Sequence, residues 1–156
     1  MSAYVVDGMV IAREIFNELK EEISSNATAP CLAIVSIGCT DDTLKRIAAK
    51  KTLCSDLSIK TLDISLPCNV SREEVLAKVD ELNMDRSVHG IVLEQPFPDS
   101  INIQDVVEKI SRGKDVEGLH SSNIAQLTNT KVDWSAKRSA WDSPQSDYHA
   151  MCIPQA

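Results

Sequence analysis

Residues Cys31-Leu-Ala-Ile-Val-Ser-Ile37 form an apolar run bounded by Pro30 and Gly38. A short continuous run of this kind predicts a strand buried on both faces, and such strands lie inside sheets covered by helices. The flanks supply those helices. From about Gly8 to Ser25, Ile11, Ile15, Leu19 and Ile23 recur four apart among Arg13, Glu14, Glu18, Lys20 and Glu21, one apolar stripe on a solvated helix. After Gly38, Asp41 and Asp42 stand where an N-cap and a first-turn acid favour a helix, and Leu44, Ile47, Leu53 and Leu57 give it an apolar side to about Leu57.

The alternation continues. Leu62, Ile64 and Leu66 interleave with Thr61, Asp63 and Ser65, predicting a wetter second strand over 59–66. Ser71-Arg-Glu-Glu74 is a capping box, and Val75, Val79 and Leu82 follow it at helical spacing to about Asn83. His89-Gly-Ile-Val-Leu93 reads as a third strand stopped by Pro96 and Pro98, with a short helix over 103–110 after it. The order αβαβαβα predicts an α/β fold, a three-layer α/β/α sandwich around a short, mainly parallel sheet.

At 156 residues the chain is one domain long, and with 43% hydrophobic but only 4% aromatic residues its core must be built from Ile, Val and Leu. Composition changes after Leu127: residues 128–156 hold no Leu or Gly, one Val and one Ile, yet three of the six aromatics. The expected organisation is a domain over 1–127 and an irregular or docking tail over 128–156. Trp134 and Trp141 in that tail weigh more as residues of a loose segment than as interface anchors.

A formal charge of −7 argues against nucleic acid as a partner, because phosphate binding draws on clustered Lys and Arg. No apolar run approaches bilayer length and no leader pattern opens the chain, so no membrane association and a cytoplasmic location are expected. Five cysteines without a C-x-x-C or His pairs fit reduced thiols rather than a disulfide framework or a zinc site. Two sequons, at Asn26 and Asn69, would matter only in a secreted chain.

No G-x-G-x-x-G, Walker A loop, H-E-x-x-H or G-x-S-x-G occurs. What remains converges on the carboxyl ends of the strands, where open α/β sheets place ligands: 38–51, 94–98 and the segment Lys114-Asp-Val-Glu-Gly-Leu-His120. His89 reads as a capped or core histidine, His120 and His149 show no partner pattern, and Cys39 and Cys54 read as small hydrophobes.

Four of these motifs together carry a resemblance: Asp7-Gly8, Gly38-Cys-Thr-Asp-Asp with a lysine twelve residues after the glycine, Val88-His-Gly-Ile-Val-Leu-Glu-Gln-Pro-Phe-Pro98, and Lys114-Asp-Val-Glu-Gly118. In order and spacing, from about Val5 to Leu127, the chain resembles the N-terminal folate domain of the methylenetetrahydrofolate dehydrogenase/methenyltetrahydrofolate cyclohydrolase family. That domain carries a catalytic Tyr and Lys four apart, a Gln in V-Q-L-P-L-P and an Asp in K-D-V-D-G. By resemblance the lysine is Lys50, while Arg46 stands at the tyrosine position, Glu94 at the glutamine position and Glu117 at the aspartate position.

The resemblance implies Lys50 as candidate base, Arg46 and Glu94 as substituted catalytic positions, and Glu117, Gln95 and Pro96 as substrate-binding residues. Glu117 retains a carboxylate able to accept the paired N–H groups of a pterin edge, one methylene further out. Without the resemblance, Lys50 and Arg46 are an ordinary basic helix face. Arg46 and Glu94 are expected to form an ion pair across the cleft.

The implied ligand is a reduced folate, as substrate or bound molecule. No cofactor is expected in this chain, because the family's nicotinamide site belongs to a second domain; dehydrogenase activity is therefore not expected. A protein partner could cover the surface which that domain would otherwise bury. The expected function is one-carbon interconversion on tetrahydrofolate, with at most weak cyclohydrolase activity, against a noncatalytic relative that binds folate or a partner protein. A receiver-like signalling domain would need an Asp at the end of the third strand, where Glu94-Gln95-Pro96 stands.

Overall fold

The computed structural model describes residues 7–129. The elements run α1 (Gly8–Ser25), β1 (Cys31–Ile37), α2 (Asp41–Asp56), β2 (Lys60–Leu66), α3 (Arg72–Met84), β3 (Gly90–Glu94), α4 (Ile103–Lys109), a 3-10 turn (Arg112–Lys114) and α5 (Ser121–Asn129). The three strands form one parallel sheet in the order β2-β1-β3, so the apolar run of β1 occupies its centre as expected. A single α/β domain results, with α5 as an element that periodicity did not reveal. The tail expected over 128–156 lies, beyond Asn129, outside the described residues, as do Trp134, Trp141 and His149.

One face of the sheet carries the main core. Ala33, Val35 and Ile37 of β1 and Ile91 and Leu93 of β3 pack with Val75, Val79 and Leu82 of α3 and Val106 and Val107 of α4, all buried. At roughly 1.5–3 kcal/mol for each fully buried aliphatic side chain, this layer supplies most of the drive to fold. The capping box of α3 is made as read: Ser71 Oγ accepts from Glu74 N at 3.2 Å, and Glu74 Oε2 accepts from Ser71 N at 2.9 Å. Lys114 closes the other end of α3, donating to the carbonyls of Leu82, Asn83 and Asp85 at 2.8, 2.8 and 2.7 Å.

Three readings are corrected. Thr40, not an aspartate, caps α2: its Oγ1 accepts from Thr43 N at 3.2 Å, while Asp41 and Asp42 sit in the first turn. The inward stripe of α2 is not Leu44, Ile47, Leu53 and Leu57, since Leu44 and Leu53 are exposed; the less exposed positions are Thr43, Ile47, Lys50 and Cys54, spaced by four, three and four. In α1 nothing is fully buried, and Phe16 is half-buried where Ile15 was expected, because 3.6 residues per turn carries a strict four-residue repeat off the stripe. Among the described residues no helix is long and apolar enough to cross a membrane.

Candidate functional site

The second face of the sheet, beneath α2, ends in polar residues. Along β1 and β3 the side chains alternate, so Ile34, Ser36, Val92 and Glu94 point away from the main core, yet all are buried. Ser36 is in register with Ser65 of β2 on one side and Glu94 of β3 on the other, a polar row across the carboxyl end of the sheet. The chain turns out of this row at Gly38, whose φ of +62° suits a residue without a side chain.

Glu94 is the centre of the row. Its side chain is 4% exposed, and its two carboxylate oxygens are each taken by a different cation: Arg46 Nε donates to Oε1 at 2.7 Å and Lys50 Nζ to Oε2 at 2.5 Å. Arg46 also donates to the Gln95 carbonyl. Burial pushes the Glu94 carboxyl up, but the hydrogen bonds and charges of Lys50 and Arg46 outweigh it and leave the group below its ordinary range. The expected ion pair between Arg46 and Glu94 is therefore present; the capture of Lys50 by the same carboxylate was not anticipated.

Helix phase explains that capture. Lys50 belongs to the inward stripe of α2, and Arg46 lies one turn before it, so both long side chains reach the end of β3 while remaining partly exposed, at 39% and 48%.

Glu117 joins the group from the segment after the 3-10 turn. That segment is pinned to the sheet through Asp115, which bridges Ile91 and whose buried carboxylate accepts from His120 N and Asn123 Nδ2, both at 2.9 Å. Desolvation raises the Glu117 carboxyl, against a hydrogen bond from the Leu93 backbone and the charge of Lys50, with Glu94 and Asp115 pushing it further up. The Gln95 and Pro96 side chains are at the rim, joined by a cis peptide bond. All six candidate positions thus gather around the carboxyl ends of β1 and β3.

Residues outside the candidate set hold the surrounding frame. Asp115 and Lys114, read only as parts of a motif, anchor the loop and α3; a buried Asp followed by a polar helix start was the available signal. His89 is structural as read, its Nδ1 accepting from Cys31 N at 3.1 Å. His120 does have partners: its Nδ1 accepts from Ser122 N at 3.2 Å at the start of α5, and its Nε2 is 3.7 Å from Glu108. No group of three or more His, Cys, Asp or Glu among the described residues could hold a metal ion.

The model of the tetrahydrofolate dehydrogenase/cyclohydrolase catalytic domain matches residues 6–117. The bifunctional protein FolD 2 of Arabidopsis thaliana is 36% identical over 130 residues, 81% of this chain and 44% of its own length. The bifunctional protein FolD of Geobacillus thermodenitrificans is 34% identical over 130 residues, 81% of this chain and 46% of its own. A crystal structure of the bifunctional FolD methylenetetrahydrofolate dehydrogenase/cyclohydrolase from Campylobacter jejuni superposes with a TM-score of 0.74 at 35% identity, covering 78% of this chain and 44% of that one. The chain spans a little under half the length of these relatives. Among the described residues, the strand-to-helix turn at the site, Gly38-Cys39-Thr40, holds a single glycine.

Proposed function

The chain belongs to the tetrahydrofolate dehydrogenase/cyclohydrolase family, and from that premise we propose that it binds a reduced folate at the carboxyl ends of β1 and β3 with cyclohydrolase turnover weak or absent. The observation that carries the second half is the double pairing of Glu94 with Arg46 and Lys50. Hydrolysis of a methenyl group needs water added to a cationic carbon and a basic nitrogen to move protons. Here Lys50 faces a carboxylate as a hydrogen-bond donor, so its nitrogen is engaged before a ligand arrives.

Binding is a separate matter. Glu117 retains the acceptor pair for a pterin edge, and the Leu93 backbone and the rim at Gln95 and Pro96 lie beside it. A longer acidic side chain than the family's shifts the ligand relative to Lys50, and a displacement of roughly 1 Å costs about 10²-fold in rate. The geometry supports a folate-binding domain with weak or absent cyclohydrolase turnover over an efficient hydrolase. A reduced-folate ligand and four free thiols among the described residues suit a reducing compartment such as the cytosol. Met9 and Ile15 of α1 and Leu44 and Leu53 of α2 are exposed apolar side chains that a protein partner would cover.

The test is titration with tetrahydrofolate followed by heat denaturation, beside an assay of methenyltetrahydrofolate hydrolysis. A ligand at about 100 times its Kd stabilises the native state by about 2.7 kcal/mol, so the melting temperature should rise with folate while hydrolysis stays near the uncatalysed rate. No folate-dependent rise defeats the binding reading; efficient turnover defeats the silenced site.

A further inference from the structure

Two cysteines follow the ends of the neighbouring strands β1 and β2. The parallel register runs to Ile37 opposite Leu66, and Gly38 N continues the ladder by donating to the Leu66 carbonyl at 3.0 Å. Cys39 and Cys68 each follow the last paired residue of neighbouring strands by two positions. The backbones stay close past that point: a Cβ on Gly38 would lie 2.9 Å from Cys68 Cβ and 3.3 Å from its Cα. The Cα of Cys39 is only ~3.8 Å along the chain from that of Gly38. A disulfide spans Cα atoms about 4.4–6.8 Å apart, so the bond requires this turn to bring Cys39 onto Cys68.

Cys39 already leans towards β2. Its Sγ donates to Ser36 Oγ at 3.1 Å and lies 3.7 Å from Ser65 Oγ, three residues before Cys68. Cys68 is exposed and Cys39 partly so, which leaves both open to a small reagent. The other described thiols are placed differently: Cys54 is buried under α2, and Cys31 opens β1 at the far end of the sheet.

We propose that Cys39 and Cys68 form a dithiol modification site, which a low-molecular-weight disulfide of the glutathione class converts into an intramolecular disulfide. The thiolate of one cysteine attacks a sulfur of the small disulfide, forming a mixed disulfide and releasing one small thiol. The second cysteine, deprotonated, attacks the protein sulfur of that mixed disulfide and releases the second small thiol. Two protein thiols are oxidised and one small disulfide is reduced to two thiols, so atoms and electrons balance. The bond ties the turn that starts α2 to the end of β2, and a thiol reductant reverses it. Neither cysteine contacts the Arg46, Lys50 and Glu94 cluster, so the proposal stands apart from the folate reading.

The test treats the folded Cys31→Ser chain with oxidised glutathione, caps remaining thiols by alkylation and maps tryptic peptides by mass spectrometry. In that variant, peptide 21–45 carries Cys39 as its one thiol and peptide 61–72 carries Cys68. The expected result is these two peptides joined, loss of both alkylatable thiols, release of two glutathiones per chain, and full recovery with dithiothreitol. Cys39→Ser and Cys68→Ser should each abolish the link, and the chain unfolded in urea should lose the preference for this pair. Stable glutathione adducts without a link, a preferred link to Cys54 or Cys152, or no reaction at either position in the folded chain would overturn the proposal. If Cys31→Ser does not fold, the native chain is treated instead, and fragment ions of the joined peptides distinguish a bond at Cys39 from one at Cys31; a bond at Cys31 would equally overturn the proposal.

Discussion

Removing the anion and removing the cations of the Glu94 cluster should have unequal costs. Glu94 is 4% exposed, whereas Arg46 and Lys50 are 48% and 39% exposed. In Glu94→Gln the two cations turn into water, the buried group becomes a neutral amide of the same shape, and the desolvation cost of a carboxylate disappears. The net loss is that of partly exposed ion pairs, below ~1 kcal/mol. In the double variant Arg46→Ala with Lys50→Ala, the carboxylate remains buried without either partner, a situation that costs about 3–5 kcal/mol. At roughly 4 °C per kcal/mol for a domain of this size, the double variant melts more than about 10 °C lower and Glu94→Gln within about 4 °C of the native chain.

The pH dependence carries the same logic. The Glu94 carboxyl is held below its ordinary value by Lys50 and Arg46, so its contribution to stability is present above the ordinary carboxylate pKa and is lost as pH falls through the lowered one. Urea denaturation between neutral and acid pH should show this loss in the native chain and its absence in Glu94→Gln. If Glu94→Gln is as costly as the double variant, or keeps an unchanged acid limb, the bridging carboxylate does not hold the site as argued.

Other measurements probe the surroundings. Lys114→Met removes three donor contacts to the end of α3 and should cost about 1–3 kcal/mol in urea denaturation. Glu117 is raised by desolvation, so its carboxylate ionises at a higher pH than an ordinary Glu; if the proposed folate binding uses it, tetrahydrofolate affinity should fall as pH drops through that raised value, and Glu117→Gln should flatten the profile. Ending the chain at Asn129 removes a segment with no Leu and a single Ile, and calorimetry should find the melting temperature within a few degrees of the full chain.

Most of the fold was legible because its signals are local or periodic. A buried central strand shows as an uninterrupted apolar run, and the capping box of α3 shows as Ser71 and Glu74 at a fixed spacing. What escaped had no such signal. The helix α5 has Ser121, Ser122 and Asn123 in its first turn and is held at its start by His120, which accepts from Ser122 N two residues on, and by Ser121 pairing with Glu108 thirteen residues away. Thr40 was passed over for Asp41 because both are cap residues, and only the backbone decides which one stands outside the first turn.

At the candidate site, which residues gather was legible and their bonding was not, and the reason is the phase of one helix. Reading Leu44, Ile47, Leu53 and Leu57 as the apolar side of α2 turned the helix by about one residue and left Lys50 among solvated lysines. With the true stripe at Thr43, Ile47, Lys50 and Cys54, Lys50 faces the sheet, where Glu94 ends β3 in register with Ser36. The pairing of Arg46 with Glu94 could be inferred, since an acid and a base stand at positions where the family has neutral groups. Occupation of the second carboxylate oxygen by Lys50 could not, because it depends on that phase and on the alternation that buries Glu94 beneath α2. By the resemblance, Arg46 and Glu94 are two departures that compensate each other in charge while engaging Lys50, the candidate position that matches the family. Arg46→Tyr alone leaves Lys50 bound to Glu94, and Glu94→Gln alone leaves two unpaired cations four residues apart; only the joint change frees the lysine in a neutral setting. A double-variant gain in methenyltetrahydrofolate hydrolysis beyond the product of the single gains is the coupling this arrangement requires.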